Sequence, residues 1–160
     1  MLKTLALFIF LATAAFAQNE VIMGSQQYSF TFPEGWEVNY DADHPSGILA
    51  LSQDKEIDMA IYELRATMEE VLAATGTEIS DNYESVEDYM ASDDVRNGIP
   101  VKIINAAVVL PNSDVITGLT VMLFQVSDEM IIKIYCELKA DVSGMTYSEM
   151  ELIIDSLKKL

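Results

Sequence analysis

The stretch Tyr28-Ser29-Phe30-Thr31-Phe32-Pro33-Glu34-Gly35-Trp36-Glu37-Val38 decides the fold. Its first five residues alternate strictly and set Tyr28, Phe30 and Phe32 on one side, the period of a half-buried strand. In Phe32-Pro33-Glu34-Gly35, proline at the second position and glycine at the fourth suit a type I turn. Trp36, Val38 and Tyr40 resume the alternation in a second strand. Asp41-Ala42-Asp43-His44-Pro45-Ser46-Gly47 is a loop by composition. Strands are expected next over Ile48 to Leu51 and Ile57 to Leu64, joined by the polar Gln53 to Glu56.

Beyond Leu64 the period changes. Thr67 and Glu70 form a capping box, in which each side chain serves the other's backbone N–H. Met68, Val71 and Leu72 supply a short apolar face, and Gly76 a stop. Thr77 to Asn97 is acidic and weakly patterned. Ser85 could cap a short helix through Tyr89 and Met90, and a surface loop is the competing expectation. Val101 to Leu110 is apolar at both parities, as in a strand covered on both faces. Pro111 to Asp114 turns the chain. Val115 to Val126 is a long strand, and Ser127-Asp128-Glu129 a hairpin loop. Met130, Ile132, Ile134, Cys136 and Leu138 then point one way; Lys133, Glu137 and Lys139 point the other, with Ile131 and Tyr135. Thr146 and Glu149 suggest a second capping box. Met150, Ile153, Ile154, Leu157 and Leu160 make a helical stripe, with Lys158 and Lys159 at its negative end. Consecutive strands with short turns and two amphipathic helices imply an α+β domain. Its sheet is mainly antiparallel, with amphipathic helices packed on both faces.

Tyr28 to Val38 resembles the opening strand–turn–strand of the PsbP/DcrB/Mog1-like superfamily, whose members often begin with an aromatic-rich strand and then Pro-x-Gly-Trp. Thr67-Met68-Glu69-Glu70-Val71-Leu72 stands where those proteins carry a helix after the first strands. Ile153-Ile154-Asp155-Ser156-Leu157 is similar to their terminal helix. The resemblance implies an antiparallel sheet between helical layers and action by binding other macromolecules. It supplies no catalytic residues to carry over, and function inferred from a fold is analogy.

The first seventeen residues set the compartment. Met1-Leu2-Lys3 gives a positive start, Leu5 to Ala14 an apolar run, and Ala15-Phe16-Ala17 a small-x-small cleavage site. Residues 1–17 are expected to be a signal peptide, leaving one domain over 18–160 in the periplasm or outside a bacterial cell. No second apolar run is long enough to span a bilayer, so the chain is not expected to be an integral membrane protein. The single cysteine, Cys136, rules out an intramolecular disulfide. With 26 acidic against 9 basic residues, a formal charge of −17, nucleic acid is disfavoured and a basic partner or divalent ions are favoured. The simplest account of the acidity is solubility.

Chemistry-bearing residues are few. Cys136 lies on an apolar strand face, where a thiol packs as a small hydrophobe. His44, the only histidine, sits in a loop with no local partner for catalysis. Asp41 and Asp43 resemble the start of a calcium loop, but Pro45 and Ser46 stand where further ligands and a glycine belong. Trp36 and Tyr40 could stack on a ligand, although their alternation suits a core. Glu78, Asp81, Glu84, Glu87, Asp88, Asp93 and Asp94 form an acidic run free of basic residues, a candidate surface for a protein with a basic face. No phosphate loop, nucleophile elbow or metal-ligand spacing is present, and no cofactor is implied. The leading expectation is an exported, non-enzymatic binding or accessory protein of the cell envelope. The alternatives are a hydrolase with dispersed carboxylates and a structural protein that binds divalent cations.

Overall fold

A computed structural model describes residues 18–160; the signal peptide expected over 1–17 lies outside the described residues. Among the described residues, ten strands and two helices follow in order. They are β1 (Gln18–Ile22), β2 (Tyr28–Pro33), β3 (Glu37–Tyr40), β4 (Gly47–Leu51), β5 (Ile57–Leu64), α1 (Met68–Asn82), β6 (Ser85–Arg96), β7 (Ile99–Val109), β8 (Ile116–Ser127), β9 (Met130–Lys139), α2 (Gly144–Asp155) and β10 (Lys158–Lys159). A seven-stranded sheet has the order β3-β4-β5-β9-β8-β7-β6, and a three-stranded sheet has the order β1-β2-β10. Every described pairing is antiparallel. The class is therefore α+β with an antiparallel sheet, as the order of elements implies.

Tyr28, Phe30 and Phe32 are buried, as the alternation of β2 predicts. The turn after them falls one residue later than expected. The Trp36 N–H donates to the Pro33 carbonyl at 3.5 Å. Gly35 is thus the third turn residue, with φ +94°, the sign a type II turn requires there. The chain changes sheets at this turn: β2 pairs with β1 and β10, whereas β3 opens the larger sheet.

The core divides by strand parity. Ile132, Ile134, Cys136 and Leu138 of β9 cluster with Ile57, Met59 and Ile61 of β5 and with Met150, Ile153 and Ile154 of α2. Ile131 joins Leu119, Val121 and Leu123 of β8 and Val71 and Ile79 of α1. Each fully buried Ile, Leu or Val contributes about 1.5–3 kcal/mol of hydrophobic stabilisation.

Four expectations are corrected. First, Gly76 does not stop α1, which continues to Asn82 and buries Thr75 and Ile79 beyond the expected end. A glycine inside a helix costs about 1 kcal/mol, which burying Ile79 offsets. Second, the segment expected as a short helix or loop around Ser85–Met90 belongs to β6, a twelve-residue strand. The strand lacks an apolar alternation because both of its faces are exposed from Val86 to Val95. Third, α2 is capped by Ser143, whose hydroxyl accepts from the Thr146 N–H at 3.1 Å. The expected Thr146–Glu149 box does not form because both side chains are spent elsewhere. Thr146 donates to the Asp54 carboxylate, and Glu149 accepts from Trp36 Nε1 at 2.9 Å. Fourth, α2 ends at Asp155, and Lys158 and Lys159 pair with Ser29 and Tyr28 of β2 instead of closing the helix. Leu160, expected on the apolar stripe, is exposed.

Candidate functional site

The acidic run is distributed over two elements. Glu78 and Asp81 lie on α1, Glu84 in the connection, and Glu87, Asp88, Asp93 and Asp94 on β6. β6 is the outer strand of the larger sheet. Every residue from Val86 to Val95 is exposed, because β7 takes one edge and no helix covers the strand. A bulge between Glu87 and Met90 breaks the register, with Asp88 at φ 51°. Past the bulge the pairing with β7 is regular to Arg96.

The acids differ in what they touch. Glu78 is paired with Lys133 of β9, whose side chain is buried and lies 5.4 Å from the Tyr135 ring centroid. That pair ties α1 to the sheet. Asp93 meets Lys102 at 2.5 Å. Asp94 lies 3.7 Å from Arg96, and Arg96 also reaches Glu151 at 2.8 Å and Asp155 at 3.4 Å on α2. Asp81, Glu84, Glu87 and Asp88 are exposed. Exposed pairs such as Asp93–Lys102 contribute about 0–1 kcal/mol, so Asp93 can exchange Lys102 for an incoming cation at little cost.

A second feature was not legible as a site. On the face of β3, β4, β5 and β9, a cleft of about 370 Å³ is lined by Leu49, Leu51, Ala60 and Tyr135, with Glu37, Asp58 and Glu137 around it. Asp58 stands directly opposite Glu137 in the register. The Tyr83 hydroxyl is 2.7 Å from that of Tyr135 and donates to the Glu137 carboxylate. Burial raises the Tyr83 hydroxyl well above the ordinary tyrosine range, and the hydrogen bond to Glu137 adds to it. Burial also pushes Tyr135 up to about 12. Both phenols therefore stay protonated at neutral pH and serve as donors, not bases. Glu37 and Asp58 are exposed, whereas an acid–base pair needs a dry setting that separates its two carboxylates. The only sequence signal for this cleft was the β9 alternation that set Tyr135 beside Glu137.

The remaining candidates fall apart in space. Asp41 accepts from the Asp43 N–H at 2.9 Å, from the Tyr62 hydroxyl at 3.2 Å, and contacts His44 Nδ1 at 3.2 Å. The Asp43 backbone, followed by Tyr62 and His44, holds the Asp41 carboxyl below its usual range. Asp41 thus orders its own loop, and Asp43 contributes its N–H. Among the described residues no group of three His, Cys, Asp or Glu side chains is arranged to hold a metal ion. His44 is exposed and stacks edge-on against Tyr62, with centroids 5.5 Å apart. Cys136 is fully buried, and burial raises its thiol, which keeps it unreactive. Trp36 is buried, as core packing predicts, whereas Tyr40 is exposed and donates to the Ile22 carbonyl at 3.0 Å.

No family profile matches the sequence, and no curated protein matches it. Solved structures do. Cyanobacterial PsbP (CyanoP) from Synechocystis sp. PCC 6803 superposes with a TM-score of 0.61 at 12% identity, over 96% of this chain and 99% of that one. LpqN of Mycobacterium tuberculosis, involved in cell envelope biogenesis, gives 0.58 at 9% identity, over 94% of both chains. The Ran-binding protein Mog1p of Saccharomyces cerevisiae gives 0.56 at 7% identity, over 90% of this chain and 96% of that one. The chain has the PsbP/DcrB/Mog1-like fold, as the residues from Tyr28 to Val38 indicate. At these identities the likeness establishes the fold alone. Among the described residues no helix is long and apolar enough to cross a membrane.

Proposed function

We propose that this chain is an exported, non-enzymatic accessory protein that binds another protein through the acidic surface of β6. The observation that carries the reading is the run of ten consecutive exposed residues, Val86 to Val95, in a regular edge strand. Such a long uncovered strand is unusual, because soluble proteins normally shorten or cover their edges. Its carboxylates favour a partner with a basic face and disfavour nucleic acid. The leader over 1–17 is taken to direct export. Two structural neighbours, one Ran-binding and one involved in cell envelope biogenesis, are compatible with a binding role. The parity of the two core clusters supports the finer layering, in which α1 covers one face of the seven-stranded sheet and α2 the other.

In-cell crosslinking of the tagged protein, read by mass spectrometry, tests the reading. A stoichiometric partner should be captured and then lost when Glu87→Gln, Asp88→Asn, Asp93→Asn and Asp94→Asn are combined. A partner retained by that variant would place the contact elsewhere and overturn the assignment.

A further inference from the structure

The hairpin at the end of β6 reveals which main-chain groups of the strand are free. Arg96 and Ile99 close a two-residue loop, Asn97-Gly98, with φ of 53° and 77°. Positive φ at both positions is the mark of a type I′ turn, whose closing residues exchange both backbone hydrogen bonds. Antiparallel pairs alternate between bonded and non-bonded. Arg96, Asp94 and Ser92 therefore direct their N–H and C=O groups to β7, and Val95, Asp93 and Ala91 direct theirs to the open edge. An independent contact fixes this parity: the Val95 N–H donates to the Asp94 carboxylate at 2.8 Å, which it could not do while bonded to β7.

Resting on the acidic-surface reading above, we infer that β6 accepts an extended basic segment of a partner protein as an added strand along Met90–Val95. Addition to an open edge supplies main-chain hydrogen bonds for affinity and alternating side-chain contacts for specificity. The bulge at Glu87–Met90 limits the docking stretch to the regular part of the strand. The opposite edge, β3, has only four residues. A second copy of this chain is a poor occupant. Antiparallel self-pairing would set the Asp93–Asp94 region of one copy against that of the other, and like charges directly opposite are destabilising. A chain of net charge −17 adds to that repulsion.

The register also gives the added strand a pattern. Ala91, Asp93 and Val95 share the face of Ile104, and Met90, Ser92 and Asp94 share the face of Val101. Val95 and Met90 are each 65% exposed, and each offers an apolar neighbour to the incoming chain. Opposite Val95 to Met90 the segment should run apolar, basic, basic, small, small, apolar, with one basic residue over each face.

The test uses the folded protein and a synthetic peptide with the core Val-Lys-Lys-Thr-Ala-Leu, whose direction matches antiparallel addition. Binding is followed by fluorescence anisotropy at two salt concentrations. Two further peptides carry N-methyl groups on alternate backbone amides. One methylated set should lose affinity by about tenfold or more, the loss expected when a main-chain donor is removed and its acceptor left unpaired. The other set should bind like the parent. Amide exchange at Ala91 and Asp93 should slow in the complex. Ala91→Pro, which removes an edge-facing donor and no charge, should weaken binding similarly. Equal binding by both methylated sets, or unchanged exchange at those amides, would overturn strand addition. If Asp93→Asn with Asp94→Asn still abolished binding in that case, the acidic-surface reading would survive alone. A peptide that fails to bind at all, or binds equally with its lysines replaced by glutamates, would overturn the inference.

Discussion

Gly76→Ala should stabilise the protein, and the sign of the effect distinguishes two descriptions of α1. A β-carbon built at Gly76 meets nothing within 4 Å, and the residue is exposed, so neither clash nor burial enters the balance. What remains is helix propensity, worth about 0.8–1 kcal/mol between glycine and alanine in a helix interior. For a domain of this size that is a rise in Tm of roughly 2–4 °C. Thermal unfolding followed by circular dichroism, with urea titration to verify an unchanged m-value, would measure it. If Gly76 instead ended the helix in the left-handed conformation common at C-termini, alanine would be strained there. Stability would then fall by about 1 kcal/mol. A drop in Tm would therefore refute the placement of Gly76 within α1.

Two further outcomes follow from the site. Tyr83→Phe removes a buried hydroxyl that serves both Tyr135 and Glu137, and should cost about 1–3 kcal/mol in urea denaturation. The loss should be non-additive with Glu137→Gln, because the two changes share one hydrogen bond. The Asp54 carboxyl is held at about 2, against an ordinary 3.8, chiefly by the Thr146 hydroxyl and also by Ser52 and the Glu56 N–H. Its folded pKa is depressed, so its contribution is present above about pH 4 and is lost as pH falls through about 2. Tm measured between pH 5 and 2 should fall less steeply for Asp54→Asn than for the parent, and parallel curves would contradict this.

The parts of the fold with strong periodicity were legible. The parity of β9 sorts its side chains into the two observed clusters, and the Thr67–Glu70 box forms as drawn. The failures have physical causes. A capping box at Thr146 is a local rule, and a distant carboxylate, Asp54, outcompeted it. Gly76 was weighed by propensity alone, without the burial of Ile79 that extends the helix. β6 carries little apolar alternation because no layer covers it, so periodicity could not reveal it. The signal that could have done so was Asn97-Gly98 between Arg96 and Ile99, a dipeptide that favours a hairpin. The cleft near Glu137 depends on strands that meet only in the folded sheet, since Asp58 and Glu137 are far apart in the chain.

The small sheet also bears on the order of folding. The four strands from β6 to β9 are neighbours in sequence and in space, so they can zip together through short loop closures. β2, by contrast, finds one of its partners near the far end of the chain, and the Thr31–Ser156 hydrogen bond spans 125 positions. Contacts of such separation form slowly. The aromatic strand that decides the fold is thus expected to be enclosed after β6 to β9, with Phe30 and Phe32 open until Met150, Ile153 and Ile154 of α2 dock on them.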